Sequence, residues 1–546
     1  MKDLIYNKFV TGLFDEDGML SELKWHYPDN FNFAYDVVDE LARKHGDNKT
    51  AMIWVSKDGE ERRYTFESLR REVNRTANYF KSIGIKKGDR VMLILKRHYH
   101  FWYSILALHK IGAIAVPATN QLLKKDLVYR FNAAGISAVV STPYDNVPEE
   151  IDKSIAESPT LKTRVIVGQP RDGWHYFDEE YSVFDTEFPR DESLRVDDIM
   201  LMYFSSGTTG YPKIVAHMHT YALGHIVTGR WWHMVEEEGV HLTISDTGWG
   251  KAVWGKLYGQ WLAESCVFVY DFDRFHPEKI LPMFAKYNIT TFCAPPTIFR
   301  FLIKEDLSKY DLSSLKYSTI AGEALNPEVF KQWYQATGLK LMEGFGQTET
   351  TLTVANLVGM EPKPGSMGRP NPQYKICLLD GADNPVQDGE EGEICIDTHD
   401  GAPVGLFKGY YNDPKKTAEA WHDGYYHTGD MAWRDEDGYY WYVGRTDDLI
   451  KSSGYRIGPF EIESVLMELP YVLECAVTGT PDPVRGQVVK ATIILTKGTE
   501  GTDALKKDIQ DYVKHHTAPY KYPRVIEFVD TLPKTASGKI IRKAIH

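Results

Sequence analysis

The chain has 546 residues, of which 43% are hydrophobic, 25% charged and 13% aromatic. This is the profile of a soluble globular protein with length for several packed units of roughly 100–200 residues each. Sixty-three Lys and Arg against 76 Asp and Glu leave a net charge of −13. That balance repels phosphate backbones and anionic lipid, so nucleic acid is excluded as a general partner, although a local basic pocket for a small anion stays open. The five cysteines are odd in number and form no C-x-x-C pair, which suggests neither a zinc site nor a disulfide framework. The N-terminal stretch reaches charged residues before any apolar run of signal-peptide length, and no stretch approaches a membrane span. A cytoplasmic protein without a membrane span is expected, and the final Ala544-Ile545-His546 lacks the peroxisomal tripeptide.

From about residue 90 to 440, short apolar runs alternate with segments of helical period. Strands are expected over 91–95, 138–141, 164–167, 199–204, 266–270 and 290–294. Several are apolar on both faces, which fits a parallel sheet covered by helices and so doubly wound α/β layers. Over 365–442 the pattern shifts to strands at 375–379, 392–397 and 439–443 separated by Gly-, Pro- and Asp-rich turns, a small antiparallel β unit. The last hundred residues read as a compact α+β domain, with strands near 473–477 and 489–495 and helices near 460–469 and 505–515. No long Gly/Ser linker precedes it, so if it moves, its hinge is a few residues.

The most informative stretch follows the strand at 199–204: Ser205, Ser206, Gly207, Thr208, Thr209, Gly210 and then Lys213. Glycines allow close backbone approach, hydroxyls and N–H groups donate to phosphate oxygens, and the lysine adds charge. Gly250-x4-Gly255-Lys256 has P-loop spacing, but Leu257 stands where a magnesium-binding Ser or Thr is required, so that reading is rejected. Trp249, Trp254, Tyr258 and Trp261 there read as packing or as walls of an apolar pocket. In the run from Glu343 through Gly344, Phe345, Gly346, Gln347 and Thr348 to Glu349, the last residue can supply a hard oxygen to Mg²⁺, Thr348 a phosphate donor and Phe345 a flat face for a purine. Asp430 can accept from both hydroxyls of a ribose, and Arg445 supplies a guanidinium beside Asp447 and Asp448. Lys539 is a glycine-hinged lysine close to the C-terminus, a poor place for a structural role.

Together these blocks resemble the superfamily of adenylate-forming enzymes, which includes acyl-CoA synthetases, adenylation domains of peptide synthetases and luciferases. The resemblance covers nearly the whole chain. Residues 245–249, 322–325, 343–350 and 517–524 look most like medium-chain acyl-CoA synthetases that release AMP. The resemblance implies an ATP-dependent ligase that joins a carboxylic acid to AMP with loss of pyrophosphate, then passes the acyl group to coenzyme A. It implies a large domain over 1–446 and a mobile C-terminal domain over 447–546 hinged at Asp447.

By the same analogy, 205–213 wraps the β and γ phosphates, Thr348 touches the α-phosphate and Glu349 holds Mg²⁺. Gly322, Glu323, Ala324, Leu325 and Glu343 to Phe345 line adenine, while Asp430 and Arg445 reach the ribose. Lys539 bridges the attacking carboxylate and the α-phosphate, and Ser453, Gly454, Tyr455 and Arg456 line the pantetheine tunnel. Arg485 and Lys514 match positions that contact the CoA nucleotide, with solvated surface charge as the alternative. Acetate-specific relatives carry a tryptophan where this chain has Gly346, which implies a larger acyl pocket for a short-to-medium-chain, branched or aryl acid. Trp249 is either another wall of that pocket or core. His217-x-His219 is read as structural, and 96–100 (Lys-Arg-His-Tyr-His) as either a surface face or a landing place for CoA phosphates. The other reading of the activity is an adenylating enzyme that loads a carrier protein in trans.

Overall fold

The computed structural model describes residues 3–205, 211–323, 325–453, 455–534 and 540–545. Two large sheets dominate. The first runs in spatial order Gly409–Tyr410, Lys213–Met218, Ile199–Ser205, Ile114–Pro117, Arg90–Ile94, Ala138–Ser141, Thr163–Ile166 and His175–Tyr176. The second runs Arg369–Pro370, Leu352–Ala355, Leu341–Gly346, Tyr317–Ile320, Thr291–Ala294, Val240–Thr243, Cys266–Asp271, Thr50–Ser56 and Glu61–Thr65. The inner strands of both are parallel and apolar on both faces, as the unbroken apolar runs require. The six strands expected in this region each lie in one of these sheets.

The helix His100–Ile111 is buried along its whole length. A helix without a polar stripe must be covered on every side. It shares one core with Val91 and Leu93 of the first sheet and with Met52, Trp54, Val267 and Val269 of the second. The pattern of the first ninety residues was not resolved from sequence; there Thr50–Ser56 and Glu61–Thr65 pair antiparallel and form the edge of the second sheet.

A five-stranded antiparallel unit follows, built from Ile376–Leu379, Glu391–Asp397, Tyr425–Arg434, Trp421–His422 and Tyr440–Arg445. After Arg445 the chain enters a last sheet of Tyr455–Ile457, Ile450–Ser452, Gly486–Leu495 and Val472–Asp482, with Val525–Phe528 parallel to Gly486–Leu495. Helices Pro459–Leu466 and Asp503–His516 share a separate core with it. The fold is thus mixed α/β, with a large N-terminal part and a smaller α+β part at the C-terminus. Among the described residues no helix is long and apolar enough to cross a membrane.

Two glycines set the closest helix packing near the future site. A Cβ on Gly259 would lie 2.2 Å from the His225 carbonyl and 2.9 Å from the Gly229 nitrogen. The segments Tyr258–Leu262 and Val227–Trp232 therefore touch backbone to backbone. Gly259→Ala should destabilise the protein by about 1–3 kcal/mol through forced separation, read as a lowered Tm. Gly250→Ala, which meets nothing within 4 Å, should leave the Tm unchanged.

Candidate active site

The hydroxyl- and glycine-rich stretch joins two antiparallel strands, with Ser205 opposite Lys213. Ser206, Gly207, Thr208, Thr209 and Gly210 lie outside the described residues, as do Ala324, Gly454 and Lys539. Lys213 donates from Nζ to the Tyr410 hydroxyl at 3.0 Å and sits over its ring. Tyr410 in turn donates to Glu349 Oε1 at 3.0 Å. Burial lowers the Lys213 pKa from its ordinary value, against the opposing pull of Glu349. The edge strand Gly409–Tyr410 brings this tyrosine alongside Lys213–Met218, and nothing in the local sequence marks it.

Thr348 is held through its carbonyl, 2.8 Å from His217 Nε2. Burial pulls the His217 pKa down to about 3, so the ring is neutral and Nε2–H is the donor. His217 stacks on Tyr221 at 3.8 Å. His217 and His219 are both buried, His217 against Tyr221 and His219 beside His109.

Asp430 is the most connected carboxylate of the site. Its Oδ1 accepts from the Tyr442 hydroxyl at 3.0 Å, and its Oδ2 accepts from Gln347 Nε2 and from Arg445 Nη1 at 3.3 Å. Gln347 also donates to the Thr428 carbonyl and accepts from the Tyr426 hydroxyl. Strand alternation puts Tyr426, Thr428 and Asp430 on one face of Tyr425–Arg434. Arg445 reaches Asp447 at 3.6 Å. Phe345 lies 6.2 Å from the Tyr442 ring, centroid to centroid.

Glu343 is turned inward. Its Oε1 accepts from the Leu325 N–H at 3.2 Å, and its Oε2 has no hydrogen-bond partner among the described residues. Its side chain thus braces the segment beginning at Leu325 from within, while Gly322, at φ +112°, is exposed. Glu323 is drawn toward Thr297 and Arg300. A Cβ on Gly346 would lie 2.4 Å from the Trp254 ring and 2.5 Å from the Thr351 carbonyl, and one on Gly344 would meet Trp232. The indole beside Gly346 is therefore Trp254, whereas Trp249 is only half-buried and caps the helix Gly250–Lys256.

Lys256, the false P-loop lysine, is buried, donates to the Ser245 carbonyl and is pulled by burial down to about 7. The 96–100 cluster matches neither of its readings. Lys96, Arg97, Tyr99 and His100 are buried, with Lys96 paired to Asp273 and Asp145 and Arg97 to Asp246 and Asp271. These cations are neutralised inside the fold and present no face to CoA.

In the C-terminal unit, Ser453 adopts φ +52° and accepts from Arg485 Nη1 at 3.3 Å. Tyr455 stacks on Tyr520 at 4.2 Å, and Arg456 lies exposed opposite Lys451. Lys514 sits over Tyr522 and 3.5 Å from Asp511.

Residues 38–411 match the family described as AMP-binding enzyme, and residues 461–539 match the AMP-binding enzyme C-terminal domain. The chain belongs to the AMP-binding enzyme family. It is 40% identical over 546 residues to acyl-coenzyme A synthetase ACSM3, mitochondrial, of Mus musculus, covering 97% of this chain and 92% of that one. It is 41% identical over 530 residues to acyl-coenzyme A synthetase ACSM5, mitochondrial, of Homo sapiens, covering 95% and 90%. Among solved structures it resembles the anthranilate CoA ligase AuaEII in complex with anthranoyl-AMP, with TM-score 0.85, 30% identity and 94% and 96% coverage. It also resembles a benzoate CoA ligase from Burkholderia xenovorans, with TM-score 0.82, 25% identity and 94% and 99% coverage.

Burial raises the Glu343 carboxyl from an ordinary 4.5 to about 8. Its stabilising contribution is complete below about 4.5 and is lost as pH rises toward and through about 8, because the unfolded chain ionises first. The Tm of the wild type relative to Glu343→Gln should therefore fall between about pH 5 and pH 9. A pH-independent difference in paired thermal melts would refute the buried neutral acid.

Proposed function

We propose that this chain is an ATP-dependent acyl-CoA synthetase. It converts a carboxylic acid to its acyl-AMP with loss of pyrophosphate, then transfers the acyl group to CoA with loss of AMP. The observation that carries this reading is the convergence of Lys213, Tyr410, Asp430 and Arg445, from four strands, with Gln347 and Glu349, from the turn after Leu341–Gly346. An acid and a thiol do not condense spontaneously in water, so the phosphoanhydride of ATP is coupled in through the mixed anhydride. Asp430 is the proposed acceptor for the ribose hydroxyls, and Phe345 offers its face to the adenine.

Lys213 directs its ammonium toward the terminal phosphates from a position fixed by Tyr410. Glu349 has one carboxylate oxygen committed to Tyr410 and a second available, a fit to Mg²⁺, which takes one or two carboxylates and otherwise water and phosphate oxygens. When bound, that ion neutralises charge on the phosphates. Lys539 places its charge between the attacking carboxylate and the α-phosphate, stabilising negative charge that builds during transfer. The C-terminal unit, 447–546, turns about Asp447 between the two half-reactions so that 453–456 replaces Lys539 at the site. Arg485 and Lys514 remain the proposed CoA nucleotide contacts.

The acyl substrate is proposed as a short-to-medium-chain, branched or aryl acid. Support comes from Gly346, where the tryptophan of acetate-specific relatives is absent and the Trp254 ring packs instead, 2.4 Å from where a Cβ would lie. The relatives named above are mitochondrial proteins; a cytoplasmic location is proposed for this chain and is tested by cell fractionation.

The direct test is AMP and pyrophosphate release from ATP over acids from acetate to octanoate, with branched and aryl members, with and without CoA. AMP turnover that needs CoA is expected, with Trp254→Ala shifting preference toward bulkier acids. Pyrophosphate exchange without CoA-dependent turnover would point to a carrier-protein acceptor, and ADP as product would overturn the reading. Lys539→Ala should lower adenylation by at least about a hundredfold, the scale of losing one oxyanion contact, yet spare thioester formation from supplied acyl-AMP. Equal loss of both half-reactions would remove Lys539 from its assigned role.

A further inference from the structure

The back of the strand that carries Asp430 holds a second set of chemical groups. Cys395 stands directly opposite His427 in the pairing of Glu391–Asp397 with Tyr425–Arg434, so the two side chains share a face. His427 Nδ1 lies 3.3 Å from Glu393 Oε2 and 3.5 Å from Cys395 Sγ. One nitrogen thus faces both a carboxylate and a thiol. The nitrogen–oxygen contact is a long ion-paired hydrogen bond, at the outer edge of the usual range of about 2.7–3.2 Å. Both distances match ligand spacings around a tetrahedral ion, where bonds of about 2.05 Å to N or O and about 2.3 Å to S put N and O about 3.3 Å apart and N and S about 3.6 Å apart.

The surroundings are built for such a group. Glu393 Oε1 accepts the Gly429 N–H at 2.7 Å, which fixes the carboxylate. Cys395 is fully buried, and His427 keeps only 11% of its side-chain surface exposed. His427 Nε2 is buried with no hydrogen-bond partner among the described residues. Asp383 and His422 group with His427 with ligand atoms within 4.8 Å, and the His422 ring stacks on it at 4.1 Å. A different group, His45, Glu237 and Glu264, lacks this character. There Glu264 already accepts from the Ile5 N–H, Lys44 and His45.

We propose that Glu393, Cys395 and His427 form a binding site for a borderline transition-metal ion of the Zn²⁺ class, with a fourth position for water. Binding releases the Cys395 proton to solvent, and the thiolate and carboxylate together balance the charge of the ion. The ion locks Glu393, and through it Gly429, immediately beside Asp430, so it stiffens the ribose-binding strand from behind.

The test uses the full chain, stripped by chelator and titrated with Co²⁺ as a spectroscopic probe, then with Zn²⁺. One equivalent of Co²⁺ should give a near-ultraviolet thiolate charge-transfer band with the visible bands of a four-coordinate ion, and Zn²⁺ should bleach both. Cys395→Ser should abolish the thiolate band, His427→Gln should weaken binding at least about tenfold, and Cys377→Ser should leave both unchanged. Zn²⁺ should raise the Tm of the wild type and not that of His427→Gln. No thiolate band in the wild type, or a band that survives Cys395→Ser, would overturn the site. If Cys395→Ser fails to fold, by far-ultraviolet circular dichroism, the His427→Gln titration decides alone.

Discussion

The carboxylate of Asp430 is the junction on which the site depends. It is 5% exposed, and a buried charge without a partner would be strongly destabilising. Its partners come from different pieces of the fold: Gln347 from the end of the second large sheet, and Tyr442 and Arg445 from the neighbouring strand of the β unit. The same bonds that compensate the charge therefore fix how the β unit docks beside the large sheets. Gly429 belongs to this constraint. It adopts φ +71°, and a Cβ there would lie 2.8 Å from Arg445 Nη2.

A second polar chain runs from Lys213 through Tyr410 to Glu349, the ammonium and the hydroxyl each meeting a protein acceptor. Groups aimed in advance need little reorganisation when phosphate charge arrives, which is where such sites gain most of their effect. The neutral His217 ring serves the same end from behind, fixing the Thr348 carbonyl and so the direction of the loop.

Much of this arrangement was legible in the sequence because phosphate and ribose impose residue types. Close backbone approach demands glycine, and hydroxyl recognition demands a carboxylate, so 205–213, 343–349 and Asp430 stand out. Tyr410, Tyr426 and Tyr442 did not, since an aromatic residue on a strand reads as core until its neighbours are known, while Trp254, on the helix Gly250–Lys256, reads equally as packing or as a pocket wall. The 96–100 cluster misled for the opposite reason, because its compensating acids, Asp145, Asp246, Asp271 and Asp273, lie far away in sequence. The Glu393, Cys395 and His427 group escaped motif reading entirely. Its members are brought together by strand register across a gap of 32 residues rather than by spacing along one turn.

The proposed rotation of the C-terminal unit has a low electrostatic barrier at its start. Across 445–448 the two parts meet through Arg445 on Asp447, while Lys543 on Asp447 and Arg542 on Asp448 are pairs inside the C-terminal unit. The Arg445 bridge is partly exposed, and such a pair contributes about 0–1 kcal/mol. Beyond that bridge the described contacts include Asn326 to the Ser464 carbonyl, an edge contact of Tyr442 with Phe460, and close packing of Gly458 on Val443 and of Pro459 on Gly444. Within the C-terminal unit, by contrast, Arg542 grips Glu463 through a partly buried two-pronged pair, and Lys534 pairs with Glu474. Both flanks of 535–539 are thus fastened to the small unit by charged pairs that do not reach the rest of the chain. A turn about Asp447 leaves those pairs in place, so the chain on either side of Lys539 moves with the unit as a body.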